Sequence, residues 1–136
     1  MRTNQAYTYL RYTTGVIIAL HGLFRIVFMK KYIGFVLENF LSVLPSETAL
    51  TIGAALFPFV EFFTGLLIVW NLKVKKALVS GFLISLVMGL FLIAGNLYPR
   101  LIYHIVMLVL VATLYFNPHT MDYANRSLGL GNHSKR

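Results

Sequence analysis

His21 and Arg25, Glu61, Asn96, and then Arg100 and His104 stand inside or beside stretches that are otherwise apolar. Ionisable and strongly polar groups are costly in hydrocarbon unless they are paired, so each needs a partner or a purpose. The two histidines each sit four residues from an arginine, and the order reverses between the two pairs. Four residues is about one helical turn, so imidazole and guanidinium share a helix face in both places. Together the six residues suit an oxidised, carbonyl-bearing or anionic ligand. A membrane quinone fits, because histidine can donate to one carbonyl and exchange a proton near neutral pH, while Glu61 could relay it. Haem is an alternative, with His21 and His104 as the two axial ligands between facing helices. A zinc site lacks a third clear ligand, so no metal site is assigned. The purely architectural account makes Arg25 and Glu61 an ion pair that fixes helix register, with both histidines as satisfied core residues.

The elements that must position these groups follow from composition. Of the 136 residues 58% are hydrophobic and 12% charged, and the mean hydropathy is +0.74. Those values belong to an integral membrane protein. Roughly 20 apolar residues cross a bilayer core, so the chain holds about four spans. Four runs stand out, at about residues 12–29, 48–70, 77–97 and 101–116. The expected fold class is all-α: a polytopic four-helix bundle over residues 1–116, followed by a short polar cytoplasmic tail over 117–136. Residues 32–44 are apolar but interrupted by Glu38 and Asn39, too short to span, and read as an interfacial or re-entrant segment between helices 1 and 2. A loop packed over the bundle mouth is the alternative for that stretch. The first run is expected to remain as a membrane anchor and not to be cleaved as a leader, since basic residues follow it and no small-residue cleavage site does.

At 100° per residue each run carries one small or polar stripe. These stripes hold Arg11, Gly15, Gly22 and Arg25; Ala54, Pro58, Glu61 and Gly65; Gly81, Ser85, Gly89 and Asn96; and Arg100, Tyr103, His104 and Met107. Small residues let helices approach closely in lipid, so Gly15, Gly22, Gly65, Gly81, Ser85 and Gly89 are assigned to packing. Pro58 is expected to kink its helix near Glu61. Tyr98, Tyr103, Tyr115 and Trp70 lie near run ends and read as interfacial belt residues, with entry into the cavity as the alternative for Tyr103. If the stripes converge, the six chemical residues surround one cavity in the outer half of the membrane, with Arg25 paired to Glu61.

Basic residues set the expected orientation. Arg2, Arg11, Lys73, Lys75, Lys76, Arg126, Lys135 and Arg136 fall on one side, and Lys30, Lys31 and Arg100 on the other. The richer side faces the cytoplasm, which puts both termini inside a bacterial inner membrane. The net charge of +8 therefore has a topological cause, and no nucleic-acid partner is read from it. With no cysteine, the chain has no disulfide and no thiolate chemistry of its own.

The stretches "GVIIALHGLFRIVF" and "FPFVEFFTGLLIVWNL", with Arg11 before the first and a lysine-rich turn after the second, resemble the DoxX-like membrane proteins. The resemblance covers about residues 11–116 and is carried by Arg11, Gly22, Arg25, Glu61 and Gly65. Arg25 stands where that family commonly shows lysine, which keeps the charge and changes the donor geometry. The resemblance implies a four-helix protein tied to redox pathways, including small subunits linked to thiosulfate:quinone oxidoreduction. Its thiol-using branch would want cysteines, which this chain lacks. A quinone-linked oxidoreductase subunit is one expectation. Others are a non-catalytic subunit or assembly partner of a larger membrane complex, with Phe57, Phe59, Phe62 and Phe63 as its contact face, and a small transporter that would need to homo-oligomerise.

Overall fold

A computed structural model describes residues 2–117, and the regular elements among them are helices. In chain order they are α1 (Arg2–Val27), α2 (Met29–Phe40), α3 (Glu47–Val69), α4 (Val74–Ala94) and α5 (Tyr98–Tyr115). Four of them, at 26, 23, 21 and 18 residues, are long and apolar enough to cross a membrane. The shortest still extends about 27 Å at 1.5 Å per residue, close to the roughly 30 Å of a hydrocarbon core. At 12 residues α2 cannot span. The chain is an all-helical, multi-pass membrane protein. The polar tail expected over 117–136 lies, from residue 118 on, outside the described residues.

Local chemistry explains where the helices begin and end. Ser46 caps α3 by accepting from the Ala49 amide, and Glu47 sits in the first turn where the helix dipole favours an anion. Pro99 lies in the first turn of α5, where a missing N–H costs nothing. Asn71, Lys73 and Asn96 take positive φ values of 59°, 46° and 57° and make the sharp reversals before α4 and α5. These turns move two boundaries from where the apolar runs put them: α4 is Val74–Ala94 and α5 opens at Tyr98. The first helix starts ten residues before its apolar run, because the polar segment from Arg2 continues the same helix. Pro58 lies within α3, which continues through it to Val69.

Helix α1 packs chiefly on α3, and α4 on α5, with α3 against α4 joining the two pairs. The α1–α3 crossing is backbone on backbone. A Cβ built on Gly65 would lie 2.3 Å from the Ala19 nitrogen, and one on Gly22 2.5 Å from the Phe62 nitrogen. A Cβ on Gly15 would lie 2.9 Å from both the Gly65 carbonyl oxygen and the Val69 nitrogen. The helices can approach this closely only because these positions lack side chains. Gly81 and Gly89 are buried, yet a Cβ there would find only ordinary contacts at 3.5 Å or more.

Two apolar clusters hold the ends of the bundle. Ile18, Ile68, Leu78, Met107, Val111 and Leu114 fill the end nearer the chain's N-terminus. Val36, Phe40, Leu50, Ala54 and Leu92 fill the other, beneath α2. Phe40 is only 1% exposed, so α2, the short segment between the first two spans, packs as a built part of the bundle end. Outward-facing Leu20, Ile52, Phe63, Leu90 and Val109 remain exposed, as a lipid-facing surface requires.

Candidate functional site

The close α1–α3 crossing delivers the first pair of charged residues. One turn beyond Gly22, the Arg25 Nη1 donates to Glu61 Oε2 at 2.9 Å. Both are shielded, with side chains 13% and 5% exposed. Arg25 also lies 4.9 Å from the centre of the Tyr32 ring, so α2 is tied to the same guanidinium. Burial raises the pKa of the Tyr32 hydroxyl above its ordinary value, against the pull of Arg25, and keeps the group a neutral donor.

Across from this pair, α5 supplies Arg100, Tyr103 and His104 to the same space. The Tyr103 ring stacks on His21 with centroids 4.0 Å apart and planes 12° from parallel. His104 meets both edge-on, 6.2 Å from His21 and 5.1 Å from Tyr103. Arg100 lies with its Cζ 3.9 Å above the Phe35 ring and so fastens α2 to α5. These groups line a cavity of about 680 Å³ between α1, α2, α4 and α5. That volume falls within the roughly 300–1,000 Å³ of small-molecule sites. Phe24, Phe28, Met88 and Leu92 supply its apolar walls.

No protein-family model, curated protein or solved structure matches the chain.

The hydrogen-bond inventory of the cavity wall is incomplete. His21 Nε2, Tyr103 Oη and His104 Nδ1 are buried and have no partner. Each unmet buried polar atom costs about 1–3 kcal/mol, and three within one ring cluster point to a ligand or ordered water as the missing partner. Charge is also unbalanced. Arg25, Lys31 and Arg100 line the cavity, whereas Glu61 stands behind Arg25 and outside the lining. The cavity therefore favours electron-rich or anionic groups. Among the described residues no three His, Asp or Glu side chains come together as a metal site.

Of the six residues singled out for ligand contact, the structure brings His21, Arg25, Arg100 and His104 to one cavity and Glu61 to its second layer. Asn96 is the exception. Its positive φ makes the α4–α5 turn, and its Oδ1 accepts from the Tyr98 hydroxyl at 3.2 Å, away from the lining. Tyr103 belongs to the site and not only to an interfacial belt; its place beside His104 and three residues after Arg100 is the signal that marks it. Lys31, Tyr32 and Phe35 enter because α2 folds back over the cavity, which residue spacing alone does not reveal.

Arg11 has a different task at the opposite end of the bundle. Its Nη1 donates to the Ile68 carbonyl and, at 2.9 Å, to the Val69 carbonyl. These are last-turn carbonyls of α3, of which that of Ile68 also accepts from the Asn71 amide at 3.3 Å, so Arg11 is a cationic C-terminal cap.

Proposed function

We propose that this membrane protein binds a quinone-like ligand in the cavity between α1, α2, α4 and α5. The observation that carries the reading is the cluster of His21, Tyr103 and His104, whose three unpartnered polar atoms lie in the wall of a mainly apolar cavity. A quinone head is a flat apolar ring with two carbonyl acceptors. It matches a site in which aromatic faces alternate with neutral donors. When bound, it would supply the redox chemistry. The chain's own residues donate to its carbonyls, exclude water and hold it beside a guanidinium that Glu61 already neutralises.

The resemblance to DoxX-like proteins supports the same reading and adds a redox-linked role, as a subunit that lends its pocket to an oxidoreductase. The bias of basic residues supports a bacterial inner membrane with both termini in the cytoplasm. The cavity then opens in the outer half of the bilayer.

A second reading, a non-catalytic subunit of a larger complex, draws on α3. There Phe59 and Phe63 are 43% and 57% exposed on the outside of the bundle. In lipid such a face needs no protein partner, so the cavity weighs more.

The test is quinone content. The full chain is purified from native membranes in mild detergent, extracted with organic solvent, and scanned for quinone by absorption and mass spectrometry. Tyr103→Phe, which deletes only the hydroxyl, and His104→Phe should each lower the quinone retained per protein while the helical circular dichroism stays unchanged. Equal quinone in wild type and both variants sinks the proposal. A haem absorption spectrum lost in His104→Phe would replace it with the haem alternative. A near-stoichiometric partner in the same preparation would name the larger complex.

A further inference from the structure

A second cavity lies under α2, on the far side of Tyr32 from the polar one. It has about 180 Å³, and Tyr32 is the only residue with a polar side-chain atom on its lining. The rest is apolar and comes from α2, α3 and α4, with Val36, Phe57, Val87 and Phe91 among the walls. Tyr32 and Met88 line both cavities, so the two adjoin at these side chains. Gly53, on the α3 wall, is unlike the glycines of the α1–α3 crossing: a Cβ built there meets nothing within 4 Å.

We infer that this second cavity receives the first segment of the ligand's hydrocarbon tail, which makes the ligand a long-chain, isoprenoid-type amphiphile and not a short soluble ring. The inference rests on the quinone reading of the polar cavity and extends it. Three observations carry it. The polar and apolar cavities adjoin at the shared Tyr32 and Met88 side chains, so one molecule that crosses this wall places a polar end in one and an apolar end in the other. An apolar cavity of roughly 150 Å³ stays dry and takes a benzene-sized guest, so the volume here suits a segment of about five or six carbons. Nothing but Tyr32 in the second cavity could satisfy a polar group, which excludes a second head. The division of labour is then explicit: His21, Tyr103 and His104 hold the head, and the α2–α3–α4 groove selects for a tail.

The experiment compares two benzoquinones, one without a tail and one with a ten-carbon chain, on the full chain in nanodiscs of fixed lipid composition. Gly53→Phe fills the groove from a position with free space. It should weaken the chain-bearing quinone about tenfold and leave the tail-less one unchanged, in keeping with the contribution of a few methylene groups in an apolar pocket. A parallel measurement on unaltered protein guards against a folding defect in the variant. A chain-bearing quinone with a photoactivatable group near its third carbon should label Phe57, Val87 or Phe91, and excess unlabelled chain-bearing quinone should prevent the labelling. If both quinones bind and Gly53→Phe affects neither, or if labelling falls on the outward-facing Leu20 or Leu90, the tail assignment is overturned while the quinone reading stands. Labelling of the groove that unlabelled quinone does not displace means that ordinary lipid chains occupy it, which also overturns the assignment. If neither quinone binds the unaltered protein, the quinone reading fails and the tail assignment falls with it.

Discussion

Arg25 on α1 and Glu61 on α3 meet at 2.9 Å, one turn past the point where Gly22 lies against the α3 backbone. The pair and the crossing are coupled: the absence of a Cβ at Gly22 lets the helices close, and closure brings guanidinium to carboxylate. With both partners nearly buried, removing one leaves an uncompensated charge, which costs about 3–5 kcal/mol. Arg25→Met and Glu61→Leu should each lower stability by that order in a denaturation titration in mixed micelles. The double variant should recover most of the loss, since two apolar side chains no longer bury a lone charge. Single variants that lose less than about 0.5 kcal/mol, the usual range for a surface change, would show that the pair is solvated.

The glycines divide into two classes with opposite expected outcomes. At Gly65 and Gly22 an added methyl meets backbone at 2.3 and 2.5 Å, and backbone cannot swing aside. Gly65→Ala and Gly22→Ala should destabilise by about 1–3 kcal/mol, as overpacking does, and should disturb the Arg25–Glu61 distance. At Gly81 and Gly89 the nearest atoms are side-chain carbons at 3.6 and 3.5 Å, so alanine fits. There the gain in helix propensity of about 1 kcal/mol should appear as a small stabilisation. Thermal melts of the four variants decide the matter; equal losses at all four positions would contradict the division.

The contrast between these glycines marks how far the sequence could be read. The 100° stripes place Gly15, Gly22, Gly65, Gly81, Ser85 and Gly89 on inward faces, and the structure buries all six. What period alone cannot supply is the distance between helices. Gly81-xxx-Ser85-xxx-Gly89 has the regular small-residue spacing, yet the closest approach occurs between Gly15, Gly22 and Gly65 on other helices. The same limit applies at the site. His21, Arg25, Arg100 and His104 were legible because charge and imidazole in an apolar run have few uses. Asn96 looked similar, but its part is a backbone conformation, and an asparagine at the end of a helix serves a left-handed turn as readily as a ligand. Phe35 and Tyr32 carry no such signal, because only the fold-back of α2 brings them to the cavity.

Arg11 offers a separate test of how this bundle treats buried charge. Its hydrogen bonds to the Ile68 and Val69 carbonyls both leave Nη1, so its role depends on how the planar guanidinium aims that one nitrogen at the end of α3. Arg11→Leu should leave the Val69 carbonyl without its donor and the Ile68 carbonyl with the Asn71 amide alone, and cost about 1–3 kcal/mol. Arg11→Lys keeps the charge but replaces the planar fork by a compact ammonium, and should recover only part of the loss. Amide exchange at the C-terminal turn of α3 should quicken in Arg11→Leu, while exchange across Arg25 and Glu61 at the other end stays as in the unaltered protein. Uniform quickening along α3 would assign Arg11 a wider role than a cap.

Helix α2 closes one side of the proposed ligand site. Arg100 lies 3.9 Å over Phe35, and Arg25 lies 4.9 Å from the Tyr32 ring, so two cation–aromatic contacts hold this helix to α5 and α1. Arg25 has Glu61 as a second anchor, whereas Arg100 is exposed and free to exchange its ring contact for a ligand. A cation–aromatic contact at an exposed site contributes about 0.5–1 kcal/mol, enough to shift the position of a short helix without unfolding it. The chain has no cysteine, so a single Gly34→Cys bearing a spin label reports on α2 alone. A Cβ at Gly34 meets nothing within 4 Å, and the label should not disturb packing. Arg100→Ala should broaden the motion of that label, and Phe35→Leu should do the same, since each removes one half of the contact. Arg100→Lys should restore part of the order. Identical spectra in all of these variants would mean that the Phe40 anchor alone holds α2 in place, with no contribution from Arg100.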